Sequence, residues 1–229
     1  MTGKCAFCSK SAPGPLHPDG QPWDCILFES ANFLVFPSIG SIVEGWLLIA
    51  PKKHYLCMAA LDIFLQEELN LLRKFASLAL HDCFGPLVLF EHGPAGPNQA
   101  VGCGVDHAHF HLVPTNGNII DGLHTVFREH LQWKRAKGVQ DAAILHMAKS
   151  SYLYVEQPLG QAFLTSHPRL GSQLLRKVVA AHVGREPFYD WRRFPEEDNA
   201  RTTVQKIQAW KSQHRWPIAS TPRATSNQR

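Results

Sequence analysis

Asp106-His107-Ala108-His109-Phe110-His111-Leu112-Val113-Pro114 alternates histidine with apolar residues and stops at a proline. On a β-strand alternate side chains share a face. The pattern therefore predicts a strand over 107–113 with three imidazoles on one side, about 6.6 Å apart, and Ala108, Phe110 and Leu112 buried on the other. A helix would scatter positions i, i+2 and i+4 around its circumference. The plainer readings are a polar strand face that happens to hold histidines, or an incidental metal patch. Neither explains the choice well, because histidine has modest β-propensity and three protonated neighbours repel.

Working outward, Gly45-Trp46-Leu47-Leu48-Ile49-Ala50 is an apolar run stopped by Pro51, which fits a central strand. Two shorter β-like runs precede it at 24–28 and 33–36, about a turn at Glu29-Ser30-Ala31-Asn32. From 59 to 81 the period turns helical: Leu61, Leu65, Leu69, Leu72, Phe75, Ala76 and Leu80 recur at three and four, ending at Gly85-Pro86. A strand at 87–90 and a Gly/Pro-rich loop at 93–104 lead into the histidines. Beyond 114 the pattern predicts a helix within 121–136, an ambiguous 141–148, a hairpin from 152–155 and 161–164, and helices at 172–182 and 196–210. The strand–strand–strand–helix–strand–strand order predicts an antiparallel α+β core with packed helices rather than a βαβ array. That core occupies 1–150, followed by an extension of hairpin plus helices at 151–212 and a disordered polar tail at 213–229.

The 229 residues suffice for one full core with an appendage, and the +4 net charge suits anionic substrates while falling short of a duplex-binding protein. The N-terminus lacks a secretory apolar run and no stretch is apolar enough to span a bilayer, so a soluble, cytoplasmic protein without a membrane partner is expected. Cys25, Cys57, Cys83 and Cys103 stand apart and read as small buried hydrophobes. Cys5-Ala6-Phe7-Cys8 is different, since two thiolates at this spacing fit one tetrahedral Zn²⁺ that needs two more ligands. A redox pair and two incidental cysteines are the alternatives.

Imidazole is nucleophilic when neutral and can donate a proton near neutral pH. One histidine of a row can attack phosphorus, a neighbour can hydrogen-bond the phosphoryl oxygens or leaving atom, and a third can fix the nucleophile's tautomer. Phosphoryl transfer depends on such positioning and charge stabilisation.

His-x-His-x-His followed by two apolar residues resembles the signature of the histidine-triad superfamily. Gly45–His54 resembles that family's upstream strand, which ends Ile-Pro-Lys-x-His, and Cys-x-x-Cys is familiar from its zinc-containing members. The resemblance spans about residues 5–114 and implies a histidine-triad-like antiparallel sheet in a homodimer acting on nucleotides or nucleotide conjugates. It assigns His109 as nucleophile, His111 to the phosphate and leaving group, and His107 to orienting the site or binding metal. It also implies a structural zinc held by Cys5, Cys8, His54 and His107; His17, in the intervening loop, is a substitute ligand by its position alone. His111 stands where nucleotidyltransferase branches carry Gln, which favours hydrolysis of a P–O or P–N bond through a phospho-histidine.

The chain departs from the family at three positions: Trp46 replaces a His, Ser38 aligns with an Asp that holds the ribose, and Gly104 aligns with a Ser before the triad. Ser38 and Gly104 are carried as substrate-binding positions in an altered pocket. Glu91-His92-Gly93 places Glu91 and His92 near the phosphate, or alternatively in solvent at a strand end. Arg176, Lys177, Arg185, Arg192 and Arg193 read as solvated helix faces in preference to contacts with an anion or RNA. A nucleotidyltransferase or phosphorylase, and a binding module that has lost catalysis, are the competing functions.

Overall fold

The computed structural model describes residues 5–10, 20–99, 101 and 104–214. His17, Cys103, most of the loop expected at 9–22 and all but two residues of the expected tail lie outside them.

Eight antiparallel strands form one sheet: β1 (Phe28–Glu29), β2 (Phe33–Pro37), β3 (Leu47–Pro51), β4 (Leu87–Gly93), β5 (Phe110–Pro114), β6 (Lys134–Ala136), β7 (Tyr152–Glu156) and β8 (Ala162–Ser166). Their spatial order is β1-β2-β3-β5-β4-β7-β8-β6, so the histidine-bearing β5 is central. The edges are strands of two and three residues, too short to offer a long unpaired ladder. The sheet continues across position 150: the hairpin β7–β8 pairs with β4 along Leu89↔Glu156 to Gly93↔Tyr152.

One sheet face packs against α2 (Gln66–Phe84) and α6 (Glu197–Gln213), burying Leu69, Leu72, Ala76, Leu80, Ile207 and Trp210 with Phe110 and Leu112. The leucine and alanine spacing of three and four forms the stripe that meets the sheet, and each buried leucine contributes about 2 kcal/mol. Gly85, at φ +91°, ends α2 with its N–H on the His81 carbonyl. The other face packs against α3 (Ile119–Val126) and α5 (Leu174–His182), burying Ile119, Leu123, Leu174, Leu175, Val178 and Val179 with Trp46, Leu48 and Phe90. Asn118 caps α3 by accepting the Ile120 and Asp121 N–H groups. Two short helices, α1 (Ala6–Lys10) and α4 (Ala143–Met147), complete the α-helices of the described residues.

The α+β class and the antiparallel sheet match the sequence reading. Several boundaries differ. The run at 24–28 is a strand only at its end, because Pro22 starts a 3₁₀ turn and the Cys25 N–H returns to the Pro22 carbonyl. The helix expected from 59 begins at 66, since extended Leu61 and Asp62 interrupt it with 3₁₀ turns on either side. Of the helix expected within 121–136 only the beginning forms, because 134–136 pair with β8. The strand expected at 107–113 starts at Phe110. Register places Pro51 opposite Ala108, and Pro51 has no N–H to give the ladder; the Ala108 N–H bonds the Tyr55 carbonyl instead.

Candidate active site and metal centre

Cys5, Cys8, His54 and His107 converge so that one ligand atom from each lies within 4.8 Å of all the others. His107 Nδ1 is 3.4 Å from Cys5 Sγ and 3.5 Å from Cys8 Sγ, and His54 Nδ1 is 3.4 Å from Cys8 Sγ. Tetrahedral Zn²⁺ with ordinary Zn–S and Zn–N bonds would separate sulfur from nitrogen by about 3.6 Å, so the donor set and its spacing fit zinc. His107 Nε2–H donates to the Pro51 carbonyl at 2.7 Å, which leaves Nδ1 as the ligating lone pair. Burial and the neighbouring Cys5 push the Cys8 thiol up, a pairing that a dication would relieve.

The same knuckle reaches the next histidine. Phe7, between the two cysteines, packs edge-on against the His109 ring at 5.3 Å and also touches His107 and Phe36. His109 Nδ1–H donates to the His107 carbonyl at 2.7 Å, so its lone pair sits on Nε2. Burial lowers the His109 pKa to about 4, with His107 and Arg176 adding to the effect against the His107 carbonyl, which acts the other way. The ring is therefore neutral at neutral pH.

His111 lies in register with Leu48 and Phe90, on the sheet face covered by α5. Its ring stacks on Phe90 at 4.6 Å and stands 4.8 Å from His109. Trp46 Nε1–H donates to His111 Nδ1 at 3.0 Å, which places the His111 proton on Nε2. The indole thus occupies the position where the family resemblance expects a histidine. His92 joins the cluster 6.0 Å from His111, its Nε2 accepting the Leu175 N–H, and burial lowers its pKa to about 3. Ala108, Phe110 and Leu112 fill the opposite core, as the alternation predicts. His107 alone turns away toward the cysteines.

Glu91 is not brought to the histidines. It follows Phe90 and precedes His92 on β4, so it points to the other face, where Oε1 accepts the Met58 N–H at 2.5 Å and Oε2 the Tyr152 hydroxyl at 2.6 Å. Burial pushes its carboxyl from 4.5 up to about 8, against the pull of those two bonds. The folded state keeps this proton up to about pH 8, whereas the unfolded chain releases it near 4.5. The resulting stabilisation is complete below 4.5 and fades as pH rises to 8, at up to about 1.4 kcal/mol per pH unit. Glu91→Gln keeps the shape and should remove this slope. Denaturant midpoints of wild type and variant should diverge as pH rises through that window, with the wild type falling; parallel midpoints would contradict the assignment.

Ser38 is buried in the turn after β2, where its hydroxyl donates to the Ile39 carbonyl. Gly104 is exposed at φ +83°, and a Cβ there would collide with the Arg192 guanidinium. Arg192 therefore sits on a turn against the loop entering the histidine segment, and not on a helix face. The sequence reading also missed Arg176, which is 1% exposed on α5. Its signal was its place inside the apolar run Leu174-Leu175-Arg176-Lys177-Val178-Val179, where a solvated residue does not belong.

No family model and no curated protein matches the chain. Among solved structures, the chain is similar to a hypothetical histidine triad nucleotide-binding protein from Sulfolobus tokodaii, at 24% identity over 50% of this chain and 71% of that one, with a TM-score of 0.38. It is similar to a HIT family hydrolase from Clostridium thermocellum at 19% identity over 50% and 93% of the two chains, TM-score 0.35. A Zn-bound histidine triad family protein from Mycobacterium smegmatis shows 19% identity over 64% and 92%, TM-score 0.36. At these identities and scores the chemistry has to come from the residues themselves: a central antiparallel sheet that carries the His-x-His-x-His segment. Among the described residues no helix is long and apolar enough to cross a membrane.

Proposed function

We propose that the chain is a hydrolase that cleaves a P–O or P–N bond at the α-phosphate of a nucleotide through a covalent phospho-histidine on His109. The observation carrying this reading is the pair of complementary tautomers: His109 offers a lone pair on Nε2, and His111, 4.8 Å away, carries a proton on Nε2. His109 Nε2 attacks phosphorus and the bond to the leaving group breaks with its electron pair staying on the leaving atom, which the His111 Nε2–H hydrogen-bonds and which takes its proton from solvent. The ring becomes cationic in the intermediate, and its Nδ1–H bond to the His107 carbonyl strengthens accordingly. Water then breaks the N–P bond, releasing the nucleoside monophosphate and the neutral imidazole. His111 contacts the phosphoryl oxygens and leaving atom; His107 orients the site.

Cys5, Cys8, His54 and His107 would hold a zinc whose four positions are all filled by protein. Such a metal supplies rigidity rather than an activated water. His92, Ser38 and Gly104 belong to the substrate side of this reading, and Glu91 to the support of the fold. The partner is a small nucleotide or nucleotide conjugate in preference to RNA, and the setting is a cytoplasmic homodimer.

Turnover of dinucleoside polyphosphates, nucleoside phosphoramidates and nucleotide sugars in H₂¹⁸O tests the reaction class. The expected product is nucleoside monophosphate carrying one ¹⁸O, unaffected by added inorganic phosphate. A nucleoside diphosphate appearing in the presence of phosphate would make the chain a phosphorylase, and tight binding without any turnover would make it a binding module.

A further inference from the structure

We infer that Arg176 is a positioning residue for His111: it fixes the Trp46 indole, which in turn holds His111 in the tautomer that donates from Nε2. This rests on the proposed hydrolase reading for its catalytic consequence, but not for its structural one.

The guanidinium is fully enclosed. Its Nε donates to the Tyr189 carbonyl at 2.9 Å and its Nη2 to the Gly40 carbonyl. Its central carbon lies 4.5 Å from the centroid of the Trp46 ring, and the edge of that ring gives its N–H to His111 Nδ1 at 3.0 Å. Trp46 is 0% exposed and His111 2%, so the relay is shielded from water throughout. Burying a guanidinium is costly even when its donors are bonded, and leucine or methionine would fill the space without that cost. Stacked on the indole, the cation orients the ring and draws electron density from it, which strengthens the N–H as a donor.

The preceding residue acts in parallel. The Leu175 N–H bonds His92 Nε2, so two consecutive positions of α5 set two imidazoles of the cluster. Gly40 closes the arrangement: a Cβ there would collide with both the Arg176 Nη2 and the Trp191 Cβ, so the 189–191 turn locks the arginine from outside. The C-terminal segment is therefore part of the site, not an appendage to it.

Arg176→Met, Arg176→Lys and Trp46→Phe test the idea with two readouts. The first is the ¹⁵N spectrum of the His111 ring, which should show a single Nε2–H form in wild type and a mixture of tautomers in all three variants. The second is leaving-group dependence on 5′-nucleotide esters. Loss of a positioned donor should cost about 10- to 100-fold with alkyl leaving groups and under about threefold with 4-nitrophenolate. Lysine keeps the charge but not the planar stack or the paired carbonyl bonds, so it should behave like methionine in direction. It also serves should the methionine variant fail to fold. An unchanged His111 tautomer, or a loss of equal size for every leaving group, would overturn the inference. If wild type turns over neither these esters nor the phosphoramidates, polyphosphates and nucleotide sugars above, the hydrolase reading falls, while the ¹⁵N readout still decides the role of Arg176.

Discussion

Replacement of His109 by alanine is expected to lower kcat by on the order of 10⁴- to 10⁶-fold while the fold survives, the scale seen when a covalent nucleophile is removed. In the proposed reaction the neutral ring offers its Nε2 lone pair to phosphorus, and neither neighbour can replace it. His107 commits Nδ1 to the cysteines and Nε2 to the Pro51 carbonyl, and His111 commits Nδ1 to Trp46. Folding should change little. The variant loses the bond to the His107 carbonyl, about 1 kcal/mol, but also relieves an imidazole whose pKa burial holds down near 4. Steady-state rates and thermal unfolding on the same preparation check both parts, and near-wild-type turnover would refute the assignment.

Protein purified without chelator is expected to carry one zinc per chain, and Cys8→Ser to lose it. The second-largest effect follows from what the metal would join. The knuckle, β3 through Pro51, and the residue whose carbonyl orients His109 all meet at His107. Removing the clip leaves the buried His107 imidazole and two half-buried thiols without their common partner. A loss of roughly 4 kcal/mol would lower the unfolding midpoint by roughly 8–16 °C in a domain of this size. Turnover should fall with it, because Phe7 and the His107 carbonyl both lose their anchorage beside His109. Cys83→Ser, on the α2 side of the sheet, is the control and should leave the metal content unchanged. Zinc-free wild-type protein of full stability would remove the metal from the account.

Much of this site could be read from one strand. Period-two alternation placed Ala108, Phe110 and Leu112 in one core and the histidines on the other side, because alternation is a local property of the backbone. The start of the strand could not be read that way. It depends on Pro51 lying across from Ala108, a fact of register between segments 57 positions apart. Glu91 was misplaced for a similar reason: the pair Glu91-His92 straddles the sheet, and only the match of Phe90 with His111 says which of the two meets the cluster. Likewise the hairpin 152–166 was legible as a hairpin, but nothing in its own pattern says that it pairs with β4. Arg176 is the furthest from view. It reads as a solvated helix face although it lies within an apolar run, and its purpose depends on α5 returning over the sheet to reach Trp46, a contact across 130 positions that local periodicity does not encode.

The central claim is that phosphorus bonds to His109. Rapid quenching of wild-type protein with a nucleotide substrate into alkali, where a phosphorus–nitrogen bond to histidine survives, followed by peptide mass analysis, tests it most directly. The account predicts a nucleotidyl mass increase on the peptide containing 107–111, located at His109 and absent from His109→Ala. Sustained turnover by wild type with no adduct on that peptide at any quench time would contradict it.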